Sequence, residues 1–199
     1  MASSRDIEAF EQRAEHYESG WLGKLHRDVA DRVLDLVLER TPAAQRILDV
    51  GCGTGYLLRQ MSAQLPDALE LNGIDAATRM IENADSQSCD PRLRFLVGFA
   101  EAVPYADASF DLVVSTTSFD HWCDQQAGLL ECARVLAPGG LLVLADLFSI
   151  LLTPTLVGTR RHKARTKRRA RRLFAAAGLQ PPEWHDLGAL VIRAAIAAK

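Results

Sequence analysis

Hydrophobic positions in this chain alternate between short apolar runs and longer stretches with helical spacing. Apolar residues recur every three or four positions from 25 to 39, and Thr41-Pro42 marks the end of that helix. The short apolar runs have the length and composition of buried strands. This alternation predicts an α/β fold with a mostly parallel sheet.

The individual elements follow from the same patterns. The predicted strands cover residues 46–50, 69–74, 92–97, 110–115 and 141–147, and two more lie within 180–199. Predicted helices follow the first strand to about residue 65, cover 124–136, and end beside Gly178. No internal repeat or linker interrupts the pattern, so a single domain is the simplest expectation.

Composition narrows the class of protein. Hydrophobic residues make up 48% and charged residues 24% of the 199 positions, which is ordinary for a globular domain. No apolar run is long enough to span a membrane, and the N-terminus has no signal-peptide core, so we expect no integral membrane segment. The four cysteines lack metal-ligand spacing, which favours free thiols, a cytoplasmic location and no metal.

The small net charge of −2 hides a strongly basic segment. Residues 160–172 contain nine Lys and Arg and no acid, whereas residues 1–159 contain 12 Lys and Arg against 23 Asp and Glu. On a helix, Ala170, Leu173, Phe174 and Ala177 would face inward and the arginines outward. A solvated face, a nucleic-acid contact and an acidic membrane surface all remain open for this segment.

The most informative stretch is a glycine turn after the first strand. Gly51, Gly53 and Gly55 separate that strand from a helix, and Asp49 lies two residues before them. Such a turn lets a ligand approach the backbone, at the end of a parallel strand where α/β sheets bind nucleotides. A plain strand-to-helix turn is the alternative.

The spacing of the glycines excludes two common nucleotide sites. The dinucleotide pattern fails because Tyr56 and Leu58 stand where its third glycine would be, and the phosphate-loop lysine is absent. Instead a second acid, Asp75, ends the next strand, where a carboxylate accepts both ribose hydroxyls. Asp75 could otherwise be a helix N-cap. Together the two acids suit a ligand with a ribose and an amino group but no phosphate.

Four segments carry a resemblance to a known family. They are residues 47–55, 71–75, 106–111 and 134–140, in that order and at normal spacing. The chain resembles the class I S-adenosylmethionine-dependent methyltransferases, and among them the small enzymes related to ubiquinone and menaquinone biosynthesis. The resemblance covers roughly residues 10–180. It implies a Rossmann-like seven-stranded sheet, mostly parallel with one antiparallel strand, with helices on both faces.

The resemblance also implies roles for segments and residues. Residues 1–45 would form an N-terminal helical lid, and residues 46–199 the S-adenosylmethionine-binding part of the same domain. Twelve residues would bind the cofactor: Asp49, Gly51, Cys52 and Gly53 at the methionine part, Asp75 at the ribose, Ala76, Met80, Phe99, Ala100 and Glu101 near the adenine, and Ser115 and Thr116 beside the sulfonium. Phe99 departs from the family, whose usual Asp accepts a hydrogen bond from the adenine amino group; stacking or a backbone contact would have to substitute.

Candidate residues for the methyl acceptor follow the fourth strand and occupy the N-terminal segment. His121 is the candidate catalytic base, since a histidine titrates near neutral pH, although a packing role is open. Tyr17, Trp21 and His26 lie in the lid segment, where aromatic side chains would line the acceptor pocket or simply pack in an N-terminal helix. Phe148 would line it from the segment after the fifth predicted strand, residues 147–158.

Three functions are compatible with these residues. The first is methyl transfer by in-line displacement to a small aromatic, quinone-like or lipidic acceptor. The second is an RNA or DNA methyltransferase that uses residues 160–172, although the chain lacks the motifs of base methylation. The third is a non-catalytic protein with a methyltransferase-like fold, which the departure at Phe99 keeps open. The sequence does not predict an oligomeric state.

Overall fold

The computed structural model describes residues 4–149, 163, 166–188 and 191–199. Seven strands form one sheet: β1 (Arg46–Val50), β2 (Glu70–Asp75), β3 (Leu93–Val97), β4 (Phe110–Thr116), β5 (Leu136–Leu147), β6 (Glu183–Asp186) and β7 (Ile192–Ala198). Their order is β3-β2-β1-β4-β5-β7-β6. Only β7 is antiparallel to its neighbours, which confirms the predicted mostly parallel sheet with one antiparallel strand.

Within the described ranges, six α-helices surround the sheet. They are α1 (Ser4–Arg13), α2 (Gly20–Arg40), α3 (Tyr56–Gln64), α4 (Thr78–Ser86), α5 (Gln125–Val135) and α6 (Lys167–Ala176). Short 3-10 turns cover Ala14–His16 and Phe119–His121. None of the helices among the described residues is long and apolar enough to cross a bilayer.

Alternate residues of the strands build a core on each face of the sheet. Ile47, Leu112 and Val114 pack with α2 and α3, whereas Leu48 and Val113 pack with α5 and α6. This follows from the two-residue period of a strand, because both faces of the central strands must be buried under helices. The helices on both faces therefore confirm the predicted layers.

The N-terminal part differs from the sequence expectation. The helix expected from residue 25 begins at Gly20. Helix α1 was expected only as an unbounded part of the helical lid, and α4 was not predicted. The first turn of α4 has no cap of its own: the Glu11 carboxylate of α1 accepts hydrogen bonds from Thr78 N at 2.7 Å and Arg79 N at 2.9 Å. A cap supplied from so distant a residue leaves no local sequence signal.

The fifth strand is longer than expected. It begins at Leu136, so the Pro138-Gly139-Gly140 stretch lies within β5 rather than after a helix. Phe110 pairs with Leu136 and Leu112 with Leu141, so the extra residues form an irregularity in the ladder. The intervening prolyl-glycyl residues fit because a bulge tolerates missing ladder hydrogen bonds.

Part of the basic segment lies outside the described residues, namely 160–162, 164 and 165. On α6, Ala170 and Phe174 are buried, as the helical pattern predicted, and Ala177 follows them into the core. Arg168, Arg171 and Arg172 are exposed, whereas Arg169 is half-buried. Most of residues 147–158, expected to wall the acceptor pocket, also lie outside the described residues.

Candidate active site

The glycine turn lies between the end of β1 and the start of α3. Gly51, Gly53 and Gly55 have φ values of +78°, +54° and +78°, which side-chain-bearing residues rarely adopt. The turn is tied to β2, since the N–H groups of Gly51 and Cys52 donate to the Ile74 carbonyl at 2.8 and 3.0 Å. The predicted tight turn is present, and it places backbone amides at the carboxyl edge of the sheet.

Asp49 is a buried acid without a partner. It lies on β1, is 1% exposed, and neither carboxylate oxygen has a hydrogen-bond partner among the described residues. Burial, reinforced by the negative charge of Asp75, raises the pKa of Asp49 to about 8. A buried carboxyl group without a hydrogen-bond partner lowers the stability of the fold unless a ligand supplies a hydrogen-bond donor or a positive charge.

Asp75 is held in place by the backbone. Its Oδ2 accepts from Gly53 N at 3.0 Å and its Oδ1 accepts from Ala77 N at 2.9 Å. Burial raises the pKa of Asp75, while these hydrogen bonds act in the opposite direction. Each carboxylate oxygen retains capacity for one further hydrogen bond, so the group can hold a diol.

A cavity lies over the strand ends. It brings together most of the predicted site residues. These are Tyr17, Gly51, Gly53, Asp75, Ala76, Met80, Phe99, Ala100, Glu101, Thr116 and His121. A second cavity adjoins the first cavity, and its lining includes Asp49 and Cys52, the remaining predicted residues of the glycine turn.

Tyr17 lies between the two cavities and lines both of them. Its ring packs edge-on against Phe10, with centroids 6.2 Å apart, and is tilted over His26 at 5.0 Å. Burial, with the charge of Asp75, raises the pKa of the phenol well above its ordinary value, while the nearby Thr117 side chain acts in the opposite direction. The phenol of Tyr17 is therefore un-ionised, and its ring lies between the N-terminal segment and the end of β4.

His121 also lines the first cavity. It ends the 3-10 turn after β4, and its backbone N–H donates to the Ser118 carbonyl at 2.9 Å. Its ring packs edge-on against Phe10, with centroids 5.0 Å apart. An imidazole thus stands in the wall of the first cavity beside apolar and aromatic side chains.

The structure places three predicted residues away from both cavities. Ser115 is buried beneath them, where its hydroxyl lies 2.8 Å from the Ser118 hydroxyl. Trp21 lies on α2 and is 74% exposed, so its side chain faces solvent rather than a cavity. Phe148 is fully buried between Phe119 and Trp184, so it belongs to the core rather than to a cavity wall.

Several cavity residues were not predicted. Among them are Ile7, Phe10, Thr117, Ser118 and Trp122. Helical spacing links Ile7 and Phe10 to the buried Ala14 and would have identified them. Thr117 has φ +53°, a strained conformation for a β-branched residue, and no sequence signal predicts it.

No group of three or more His, Cys, Asp or Glu side chains is placed to hold a metal ion within the described ranges. All four cysteines are free thiols. Cys52 and Cys132 are buried, and burial raises the pKa of both.

Comparison with known proteins identifies the family. A methyltransferase domain family matches residues 48–144. The chain is 37% identical over 138 residues to the ubiquinone/menaquinone biosynthesis C-methyltransferase of Dinoroseobacter shibae, a match that covers 67% of this chain and 54% of that protein. It is 36% identical over 116 residues to the demethylmenaquinone methyltransferase of Thermotoga maritima, covering 58% of this chain and 48% of that protein.

A solved structure supports the fold over nearly the whole chain. A Haloferax volcanii protein, solved in complex with the Trm112 methyltransferase activator, aligns with a TM-score of 0.76 and 22% identity over 97% of both chains. By contrast, the chain spans about half the length of the curated relatives it matches. The cofactor of this family is S-adenosylmethionine. The chain belongs to the class I S-adenosylmethionine-dependent methyltransferases, among those related to quinone biosynthesis.

Proposed function

We propose that this protein transfers a methyl group from S-adenosylmethionine to a small-molecule acceptor. The observation that carries the proposal is Asp49, a buried carboxyl group without a partner beside a glycine turn. The turn and Asp75 fit the same ligand, since Asp75 retains capacity for a diol on the neighbouring strand. A side chain at Gly53 would project toward Tyr17, across the space that the ligand needs.

The cofactor would occupy both cavities. Asp75 would hold the ribose in the first cavity, with the adenine beside Ala76, Met80, Phe99, Ala100 and Glu101. Phe99 cannot accept a hydrogen bond from the adenine amino group, so it would contribute a ring face. The amino-acid part would lie at Gly51, Cys52 and Gly53, facing Asp49 in the second cavity.

When bound, the cofactor supplies a methyl group that its sulfonium already activates. The residues of this chain then need to align the acceptor with that methyl group and exclude water. Phe10 and Tyr17 of the N-terminal segment cover the first cavity, which supports a lid role for residues 1–45. Thr116 lies at the junction of the two cavities, where the transferred group would stand.

We propose an aromatic, quinone-like acceptor. The acceptor side of the first cavity is formed by Ile7, Phe10, Tyr17 and Trp122, which suit a flat apolar molecule. The relatives that act in ubiquinone and menaquinone biosynthesis support the same class. The hydroxyl of the acceptor would face the imidazole ring of His121, which lines the same cavity.

His121 would take the proton that the acceptor loses. The cofactor would supply the methyl group and leave as S-adenosylhomocysteine, while the imidazole of His121 would hold the proton released by the acceptor hydroxyl. We expect His121→Ala to lower kcat by roughly 10²- to 10⁴-fold, the usual range for losing a general base. Affinity for S-adenosylhomocysteine should change less than twofold.

The measurement is transfer of a labelled methyl group from S-adenosylmethionine to a soluble 1,4-naphthohydroquinone. His16→Ala is the matched control, because His16 is an exposed histidine of the N-terminal segment. Turnover by His121→Ala at the wild-type rate would contradict the role of His121 as a general base. A protein that binds the cofactor but methylates none of a panel of phenols and hydroquinones would favour the non-catalytic alternative.

The basic segment and the cellular location stay predictions. The exposed Arg168, Arg171 and Arg172 of α6 are compatible with a solvated face as much as with an anionic partner. We infer a cytoplasmic location from the free cysteines, among which Cys89 and Cys123 are exposed thiols.

A further inference from the structure

The second cavity contains one acid and one base that the surrounding protein leaves without partners. Asp49 has two unpartnered carboxylate oxygens, and the buried Nδ1 atom of His26 likewise has no hydrogen-bond partner among the described residues. Both side chains line this cavity. An unsatisfied buried polar atom costs free energy, so two in one cavity point to a ligand that satisfies both.

Several other polar side chains around this cavity are already engaged. Thr54 Oγ1 donates to the Glu18 carboxylate at 2.5 Å, and Arg59 pairs with the same carboxylate at 2.9 Å. Arg27 donates to the Glu18 carbonyl oxygen, and the Tyr56 hydroxyl donates to Asp31 at 2.9 Å. By contrast, both carboxylate oxygens of Asp49 and the Nδ1 atom of His26 lack a hydrogen-bond partner among the described residues.

We propose that His26 binds the carboxylate of the cofactor's amino-acid part, while Asp49 binds its ammonium group. The inference rests on the proposed function, and it assigns His26 a role that the sequence analysis did not. A zwitterion satisfies both orphaned groups at once, whereas a ligand with only one charge leaves the other group unsatisfied. The two cavities meet at Gly51 and Gly53, so an adenosyl group in the first can extend its amino acid into the second.

The surroundings of His26 suit this role. Its ring is half-buried and packs against Tyr17, with centroids 5.0 Å apart, which fixes its position. Burial and the neighbouring His121 lower the pKa of His26, so the ring is neutral before the ligand arrives. A neutral imidazole has one N–H to donate, and a bound carboxylate favours uptake of a second proton.

The test compares two ligands that differ only in the carboxylate: S-adenosylmethionine and decarboxylated S-adenosylmethionine. Calorimetric titration of the wild-type protein should show at least tenfold tighter binding of S-adenosylmethionine. His26→Leu should lose most of that preference by weakening S-adenosylmethionine alone. His26→Asn, whose amide N–H can stand near the Nδ1 position, should keep part of it, and His16→Leu should keep it fully.

Each other outcome overturns the role of His26. Equal weakening of both ligands in His26→Leu, with no recovery in His26→Asn, would mean that the residue only supports the fold. Unchanged binding of both ligands would mean that His26 does not reach the carboxylate. A failure of the proposed function looks different: the wild-type protein would then bind neither ligand, or would keep its preference for S-adenosylmethionine and methylate no acceptor.

Discussion

Asp49→Asn is expected to abolish cofactor binding and, at the same time, to stabilise the ligand-free protein at pH 8. Binding is lost because the amide carries no charge to pair with the cofactor's ammonium group in a buried site. We expect S-adenosylhomocysteine to bind at least 100-fold more weakly, since a buried charge pair with one partner removed costs about 3–5 kcal/mol.

The gain in stability follows from the raised pKa of Asp49. Its pKa is about 8 in the folded protein, whereas an unfolded Asp titrates near 3.9. Unfolding therefore becomes easier as pH rises from about 4 through 8, because the unfolded chain ionises first. Asparagine does not titrate, so the melting temperature of the variant should exceed that of wild type by an amount that grows from pH 5 to pH 8.

Thermal unfolding without ligand, at pH 5, 6.5 and 8, measures this difference. Asp67→Asn, which changes an exposed acid, serves as the control and should follow wild type at each pH. Asp49→Asn unfolding at the same temperature as wild type at pH 8 would contradict the buried, unpartnered state of this carboxyl group. Retained binding of S-adenosylhomocysteine would contradict its role toward the ammonium group.

Gly51→Ala is expected to destabilise the protein by about 2–4 kcal/mol, from a strained backbone and a steric clash together. Gly51 has φ +78°, and an added Cβ would lie 2.4 Å from both the Cβ and the Oγ of Ser118. Ser118 cannot withdraw freely, because its hydroxyl donates to the Val50 carbonyl at 2.9 Å. The turn would shift away from the position that binding requires.

Gly139→Ala separates the two contributions. Gly139 has φ +79°, but an added Cβ would meet nothing within 4 Å, so this variant measures backbone strain alone. We expect it to cost roughly 1–2 kcal/mol and to leave S-adenosylhomocysteine affinity unchanged. Denaturant unfolding compares the two variants. Equal losses of stability would show that the contact with Ser118 contributes nothing.

Much of the sheet was predictable because its strands are buried on both faces and read as continuous apolar runs. The glycine turn and Asp75 were predictable for a related reason, since their residue types are required by local geometry at strand ends. The prediction placed β1 at its observed bounds and came close for β2, β3 and β4.

The remaining differences come from contacts between distant parts of the chain. Helix α4 receives its cap from Glu11, and Phe10 reaches the cavity only because α1 packs on α4. The sequence did not predict a cofactor-binding role for His26, because that role follows from a missing hydrogen-bond partner, which only three-dimensional neighbours reveal. For Trp21 the sequence predicted a place in the acceptor pocket, but the structure shows its side chain exposed to solvent.

The crystal structure of the protein with S-adenosylhomocysteine tests the central claim most directly. It should place both ribose hydroxyls within hydrogen-bond distance of Asp75, with the adenine beside Met80 and Phe99. The amino-acid end should lie in the second cavity, with its ammonium group at Asp49. A cleft that stays empty at saturating ligand, or a ribose remote from Asp75, would contradict the account.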